Sequence, residues 1–193
     1  MNQLRELTLA SASPRRAELL TQIGVEFTKR PVDLDESALP AERPSELVMR
    51  LAGAKAKAAA KLLQSTNNVI LASDTIVVLD DEALGKPVDF AHARQMLSSL
   101  SGRSHQVLTA ISVKDASRQK TVCVATDVHF ATLSDEDIEQ YWATGEPADK
   151  AGAYGIQGIA GQFVRSIGGS YSAVVGLPLY ETVQLLKEFE VIK

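Results

Sequence analysis

The sequence predicts an α/β fold built on one sheet of mixed strand direction. Three observations predict it. Strand-like and helix-like segments interleave irregularly along the 193 residues, where a doubly wound fold would alternate them strictly. Two strand candidates, residues 106–113 and 121–130, follow one another across a short polar loop, which marks an antiparallel pair. Residues 69–79 form a nearly continuous apolar run, as a buried strand does. The length suits one domain with a substantial core, and no Pro/Gly/Ser-rich linker interrupts the pattern. Residues 1–193 therefore read as a single domain, with room for two lobes and a cleft.

The elements follow in order. Leu7-Thr8-Leu9-Ala10 is a short strand. Ser13-Pro14 opens a helix, with Ser as N-cap and Pro at the first helical position. Leu19, Leu20 and Ile23 supply its buried face, and Gly24 stops it. Residues 25–32 read as a strand and 33–43 as an acidic loop. A long helix covers about 44–63, and the buried strand 69–79 follows. Residues 89–100 form a helix ended near Gly102. After the antiparallel pair, Ser134-Asp135-Glu136-Asp137 carries N-terminal capping chemistry for another helix. Residues 151–169 are glycine-rich and read as loops around one strand at Phe163-Val164-Arg165. Residues 178–189 form the closing helix.

Composition narrows the function. A net charge of −4 argues against an extended nucleic-acid or anionic-membrane surface, which needs a basic excess. No apolar run approaches a membrane span and no secretory pattern opens the chain, so a cytoplasmic protein is expected. The single cysteine, Cys123, can make no intrachain disulfide and sits in a strand pattern as a small hydrophobe.

Residues that violate local rules point to a site. Arg15 and Arg16 occupy the first turn of a helix, where cations oppose the helix dipole. That helix end also offers free N–H groups, and with Ser11 and Ser13 it makes an anion site suited to phosphate. Lys55 lies on the helical stripe of Leu47, Leu51, Ala58 and Leu62, so it must snorkel or meet an anion. Asp74 shares a strand face with Ile70, Ala72, Ile76 and Val78. A carboxylate there costs several kcal/mol unless it is paired, hydrogen-bonded or metal-bound. Lys86, held between Gly85 and Pro87, is a weaker cation candidate. The acidic residues Asp33, Asp35 and Glu36 read as a solvated loop or as oxygen ligands for Mg²⁺ or Mn²⁺.

Several known arrangements are missing: the GxxxxGK[ST] phosphate loop, GxGxxG after a strand, G-x-S-x-G, and any zinc spacing among His92, His105 and His129. His105 reads as a hydrogen-bonded structural histidine. The residues alone thus reach a phosphoanhydride hydrolase or a phosphate-ligand binder and do not choose between them.

The same residues carry a resemblance. Leu9-Ala10-Ser11-Ala12-Ser13-Pro14-Arg15-Arg16 resembles the opening motif of the Maf family of nucleoside triphosphate pyrophosphatases. Ser73-Asp74-Thr75-Ile76-Val77, Gly85-Lys86-Pro87, Leu100-Ser101-Gly102 with His105 and Thr109, Tyr154-Gly155-Ile156-Gln157-Gly158, and Val175-Gly176-Leu177-Pro178 match in order. The resemblance spans about residues 7–181. It implies an elongated mixed sheet flanked by helices, with two lobes around a central cleft. It implies metal-dependent attack of water on the α-phosphate, with a divalent cation, Mg²⁺ or Mn²⁺, as cofactor. The proton acceptor falls on Asp74, and Glu36 with Asp74 lies near the metal. The phosphate set falls on Ser13, Arg15, Arg16, Lys55 and Lys86, with Ser11 beside it. Arg15, Thr75 and Gln157 match the branch that acts on dTTP and UTP. The branch that acts on 7-methyl-GTP differs at these positions. A glutamine can both donate to and accept from a pyrimidine edge.

Two alternatives stay open at the sequence level. One is the same chemistry on 7-methyl-GTP, disfavoured by Arg15 and Gln157. The other is a septum-formation regulator that senses nucleotide without catalysis, disfavoured by Asp74 beside Lys55 and Lys86. The resemblance also allows a role in nucleotide-pool cleaning, a link to cell division arrest, and a homodimer.

Overall fold

The computed structural model of the chain describes residues 3–63 and 67–193. Seven strands form one mixed sheet, β1 (Glu6–Leu9), β2 (Thr28–Lys29), β3 (Asn68–Leu79), β4 (Glu82–Leu84), β5 (Ser104–Lys114), β6 (Gln119–Phe130) and β7 (Val164–Gly168). The order is β2-β1-β3-β5-β6-β7, with β4 on the far end of β3. The β1 strand runs parallel to β2 and β3, and all other pairs are antiparallel. Six α-helices cover the sheet, α1 (Pro14–Gln22), α2 (Pro44–Leu62), α3 (Phe90–Leu100), α4 (Asp135–Ala143), α5 (Tyr171–Val175) and α6 (Leu179–Glu188). This is the mixed α/β architecture that the sequence pattern predicts. Among the described residues no helix is long and apolar enough to cross a membrane.

The twelve-residue β3 organises the molecule. Its odd positions face one layer and its even positions the other, as the strand period requires. On the odd face, Val69 and Leu71 join Leu7, Leu9, Leu20, Leu186 and Phe189 in one core. Val77 and Leu79 join Leu97, Leu100, Phe130, Ile138 and Tyr141 in a second. Between the two cores lie the polar side chains of Ser73, Thr75 and, on β5, Thr109, covered by α5. The Thr109 hydroxyl donates to the Ala173 carbonyl at 2.7 Å, and Ser73 donates to the Gly176 carbonyl at 2.8 Å. The even face carries Ile76 and Val78 under Leu47, Val48 and Leu51 of α2. The two cores are the two lobes, and the polar seam between them is where a cleft can open.

Pairing along one edge of β3 shows the same division. The β1 strand covers it only to Leu71, opposite Leu9, and β4 begins opposite Val77. Among the described residues, 72–76 are paired only with β5 on their other side, where Asp74 faces Ala110. Side chains from both faces can reach this gap.

Local chemistry explains the element ends. Gly24 and Gly102 stop helices at φ +68°, a left-handed conformation that costs glycine little. Ser134 and Asp137 form the reciprocal capping box expected for α4. Asp115 turns the β5–β6 hairpin by accepting from Ser117 N–H and Arg118 N–H. Four expectations are corrected. Ser13 sits at the N-cap position of α1, but its hydroxyl caps no N–H. The strand expected over 25–32 shrinks to Thr28–Lys29, because its partner β1 is only four residues long. Leu62 is 66% exposed: the buried stripe of α2 shifts to Ala52, Ala56 and Ala59 as the helix passes over the small residues Ala10 and Ala72. Cys123 is only partly buried, at the edge of a core, and burial raises its thiol pKa above the ordinary value.

Candidate active site

The cleft at the gap in β3 has a volume of about 380 Å³. One wall is the β1–α1 turn and the first turn of α1, with Ser11, Ser13, Arg15 and Arg16. Lys55 of α2, and Asp74 and Thr75 of β3, form the floor. Glu36 of the acidic loop and Lys86 stand at the mouth, and Gln157 comes from the glycine-rich segment opposite. These ten residues therefore face one space, whereas Asp33 and Asp35, the other acidic candidates of the loop, are not part of its lining.

Lys55 and Asp74 explain each other. Lys55 is 8% exposed and Asp74 6%. The Lys55 ammonium donates to Asp74 Oδ1 at 2.6 Å and to Glu36 Oε1 at 2.5 Å. The lysine therefore does not snorkel: it is a buried cation between two carboxylates. Burial raises the Asp74 carboxyl pKa above its ordinary value, and the opposing charges of Lys55 and Arg16 do not fully offset this. Glu36 behaves in the opposite way. Partial burial penalises its charge, but the Lys55 hydrogen bond and the charges of Lys55, Lys86 and Arg16 outweigh that penalty, so it titrates below its ordinary value.

The two adjacent arginines separate. Arg16 is committed to the protein: Nε donates to the Gly176 carbonyl at 2.9 Å, Nη1 to Ser11 Oγ at 3.1 Å and Nη2 to Thr75 Oγ1 at 3.2 Å. Thr75 is bonded in turn to Thr109, 3.0 Å away. Arg16 thus ties together the β1–α1 turn, β3 and the loop before α6. Arg15 makes no such bond among the described residues and faces the cleft. The Ser11 hydroxyl also accepts from Ser13 N–H at 3.2 Å, which shapes the turn. Lys86 is exposed at the mouth.

Sequence reasoning missed three groups. Lys150 reaches the cleft with its side chain only 15% exposed, bonded to Asp149 and, at 3.3 Å, to the Glu146 carbonyl. Asp149 lines the same wall. Glu146 braces the glycine-rich segment from behind, where Ile159 N–H donates to Oε2 at 2.9 Å. The segment Glu146-Pro147-Ala148-Asp149-Lys150 has the composition of any exposed polar turn, and no local rule sets it apart. Tyr154 lies inside the matched motif, and its hydroxyl is 2.7 Å from His105 Nε2. His105 is therefore the hydrogen-bonded structural histidine expected, stacked edge-on with Phe130 and Tyr154.

Chemically, the site has cations and helix N–H groups on one side, a buried carboxylate on its floor and Val77, Val107 and Tyr154 as further lining. That combination suits a polyanion with an attached ring. Glu36 and Asp74 converge on a single cation, which is the arrangement a divalent ion also requires. No third acidic, histidine or cysteine ligand joins them among the described residues. Two carboxylates completed by ligand phosphates and water fit Mg²⁺ or Mn²⁺.

A family model described as "Maf-like protein" matches residues 6–189. A relative named dTTP/UTP pyrophosphatase from Pseudoalteromonas atlantica is 55% identical over 182 residues, covering 93% of this chain and 95% of its own length. Proteins of the same name from Vibrio parahaemolyticus and Vibrio cholerae are 51% and 52% identical, with 98% and 96% of this chain covered and 100% and 99% of theirs. The chain belongs to the Maf family.

Proposed function

We propose that this protein hydrolyses dTTP and UTP to the monophosphate and pyrophosphate. The observation that carries the reading is the buried Lys55 ammonium held between Asp74 and Glu36 in a cleft lined by further cations. Relatives that cover nearly the whole chain at about half identity bear the corresponding name. A pure nucleotide sensor would gain nothing from a carboxylate whose burial is penalised.

The reaction assigns each group a task. The N–H groups at the start of α1, with Arg15, Lys86 and Lys150, neutralise the phosphates. Arg16 holds the walls in register. Water attacks the α-phosphorus, a new P–O bond forms, and the bond to the bridging oxygen breaks to release pyrophosphate. Asp74 takes the proton from that water, and burial, which raises its pKa above the ordinary carboxylate value, makes it a stronger base than a solvated carboxylate. Lys55 neutralises the carboxylates at rest and can turn to the triphosphate when it arrives. A divalent ion held by Glu36, Asp74 and phosphate oxygens would supply charge neutralisation and make the bound water more acidic. Gln157 offers a donor and an acceptor to the O4 and N3–H edge of uracil or thymine.

The test is product analysis over a panel of dTTP, UTP, CTP, GTP and 7-methyl-GTP with Mg²⁺ or Mn²⁺. The expected result is monophosphate plus pyrophosphate, with kcat/KM highest for dTTP and UTP. Release of orthophosphate would overturn the reaction, and preference for 7-methyl-GTP would overturn the substrate.

A further inference from the structure

We infer that Glu146 is a positioning residue for base recognition, because its carboxylate fixes the turn that presents Gln157 to the cleft. The inference rests on the base-reading role proposed for Gln157. Gln157 is exposed to the cleft, and its side chain has no hydrogen bond among the described residues. Where its amide stands is therefore set by the backbone of the turn alone. That turn is closed by Gly158 N–H donating to the Gly155 carbonyl at 3.0 Å.

Both ends of the turn hang on Glu146. On the far side of Gln157, Ile159 N–H donates to Glu146 Oε2 at 2.9 Å and Ala160 N–H reaches Oε1 at 3.4 Å. On the near side, the Tyr141 hydroxyl donates to Glu146 Oε1 at 2.8 Å and accepts from Gly155 N–H at 3.3 Å. The carboxylate lies so close under Gly158 that a Cβ there would collide with it. Glycine is needed at that position for the close approach, since its φ of −101° is open to any residue. Glu146 receives only donors: one hydroxyl and two N–H groups. A carboxylate accepts at both oxygens, whereas an amide of the same shape would point an NH₂ at an N–H or at the hydroxyl. The charged acid is therefore specified at this position, and shape alone is not enough.

The experiment is a double-mutant cycle with Glu146→Gln and Gln157→Ala, read as the ratio of kcat/KM for dTTP to that for 7-methyl-GTP. Glu146→Gln is expected to lower kcat/KM for dTTP about tenfold, mainly through KM, and to lower the ratio by a similar factor. In the Gln157→Ala background, adding Glu146→Gln should change the ratio by less than about twofold, because the group it positions is gone. A fall of equal size on both substrates, or the same loss of ratio in both backgrounds, overturns the inference and leaves Glu146 a general support of the fold. If Gln157→Ala collapses the ratio and Glu146→Gln does not, the role of Glu146 falls alone. If Gln157→Ala itself leaves the ratio unchanged, base reading by Gln157 falls and takes the role of Glu146 with it.

Discussion

Replacing Asp74 by Asn separates its chemical role from its structural one. Asn keeps the volume of the side chain and an oxygen for the Lys55 ammonium, now 2.6 Å from Oδ1. It removes the charge. Removing one member of a buried ion pair typically costs about 3–5 kcal/mol, because the other charge is left alone. Here Glu36 remains 2.5 Å from the same ammonium. Burial already penalises the ionised form of Asp74, so part of its stabilising effect is cancelled in the parent. The expected loss is therefore nearer about 1 kcal/mol, or roughly 2–4 °C in Tm for a chain of this size. Loss of a general base lowers turnover by about 10²–10⁴-fold, equivalent to about 3–5 kcal/mol of barrier. The kinetic effect thus exceeds the stability effect, and the two can be read apart. The assay is pyrophosphate release from dTTP at saturating Mg²⁺, with thermal melting and nucleotide binding measured on the same preparation. The KM for dTTP should stay within a few-fold at saturating Mg²⁺, since Glu36 still faces the ion and the deleted charge also repelled the triphosphate. A kcat within about threefold of the parent would refute Asp74 as proton acceptor. A Tm loss above about 10 °C with binding abolished would make it a structural residue.

Three further outcomes follow from the same geometry. Lys55→Met should weaken triphosphate binding and also lower Tm, because Asp74 then stays buried without its cation at a cost of about 3–5 kcal/mol. The double variant Lys55→Met with Asp74→Asn should recover most of that Tm, and failure to recover would mean that the pair is not coupled. Gln157→Glu offers only acceptors to the base and leaves O4 unpaired, so kcat/KM for dTTP and UTP should fall by about one to two decades more than for 7-methyl-GTP. Equal losses on all three would make Gln157 a support of the loop. Burial, with a smaller push from His129, drives His105 from its ordinary value of about 6.5 down to about 4. Between these values the unfolded chain binds a proton that the folded protein does not, so stability rises with pH and is lost as pH falls. The loss reaches about 3 kcal/mol by pH 4. His105→Gln should therefore lose about 5–10 °C less in Tm than the parent between pH 7 and 4.5, and parallel melting curves would show that His105 is not held neutral.

The parts of the fold and site that were legible share a physical reason. Asp74 and Lys55 stand out because each breaks a periodic apolar pattern, and the structure joins them at 2.6 Å. Alternation along β3 correctly puts Asp74 on the face of Ile76 and Val78, under α2. The helices α2, α3 and α4 were legible because each is long enough to show a helical period or carries a capping signal. Helix α5 was not: five residues show no period, and Val174 and Val175 are equally suited to a strand. Its helical state comes from Ser170, which caps Ala173 N–H, and from docking over Thr109. The three-residue β4 pairs with the end of β3 and has no pattern of its own. Lys150 and Glu146 were missed because they lie in a short polar turn with no periodic pattern to break, where neither the packing of Lys150 against the cleft nor the bond from Ile159 N–H to Glu146 leaves a local signal.

Arg15 and Arg16 show where reading by motif ends and geometry begins. In the sequence they are equivalent: two cations on one first turn, both assigned to phosphate. Successive helical residues diverge by about 100° around the axis, so one turn cannot aim both the same way. Arg16 turns inward, where a carbonyl and two hydroxyls from three segments converge on its planar fork. Such a site suits guanidinium and not ammonium, because a lysine would satisfy one acceptor well and strand the others. Arg15 is left facing the cleft. Thr75, one of the three positions on which the resemblance to the dTTP/UTP branch rests, then has a role in the structure that involves no contact with a base. Its hydroxyl holds Arg16 and is itself held by Thr109, so it sets the spacing between the α1 wall and β3. On the function proposed above, discrimination among bases would then depend on where the α1 wall is held as well as on what Gln157 can hydrogen-bond.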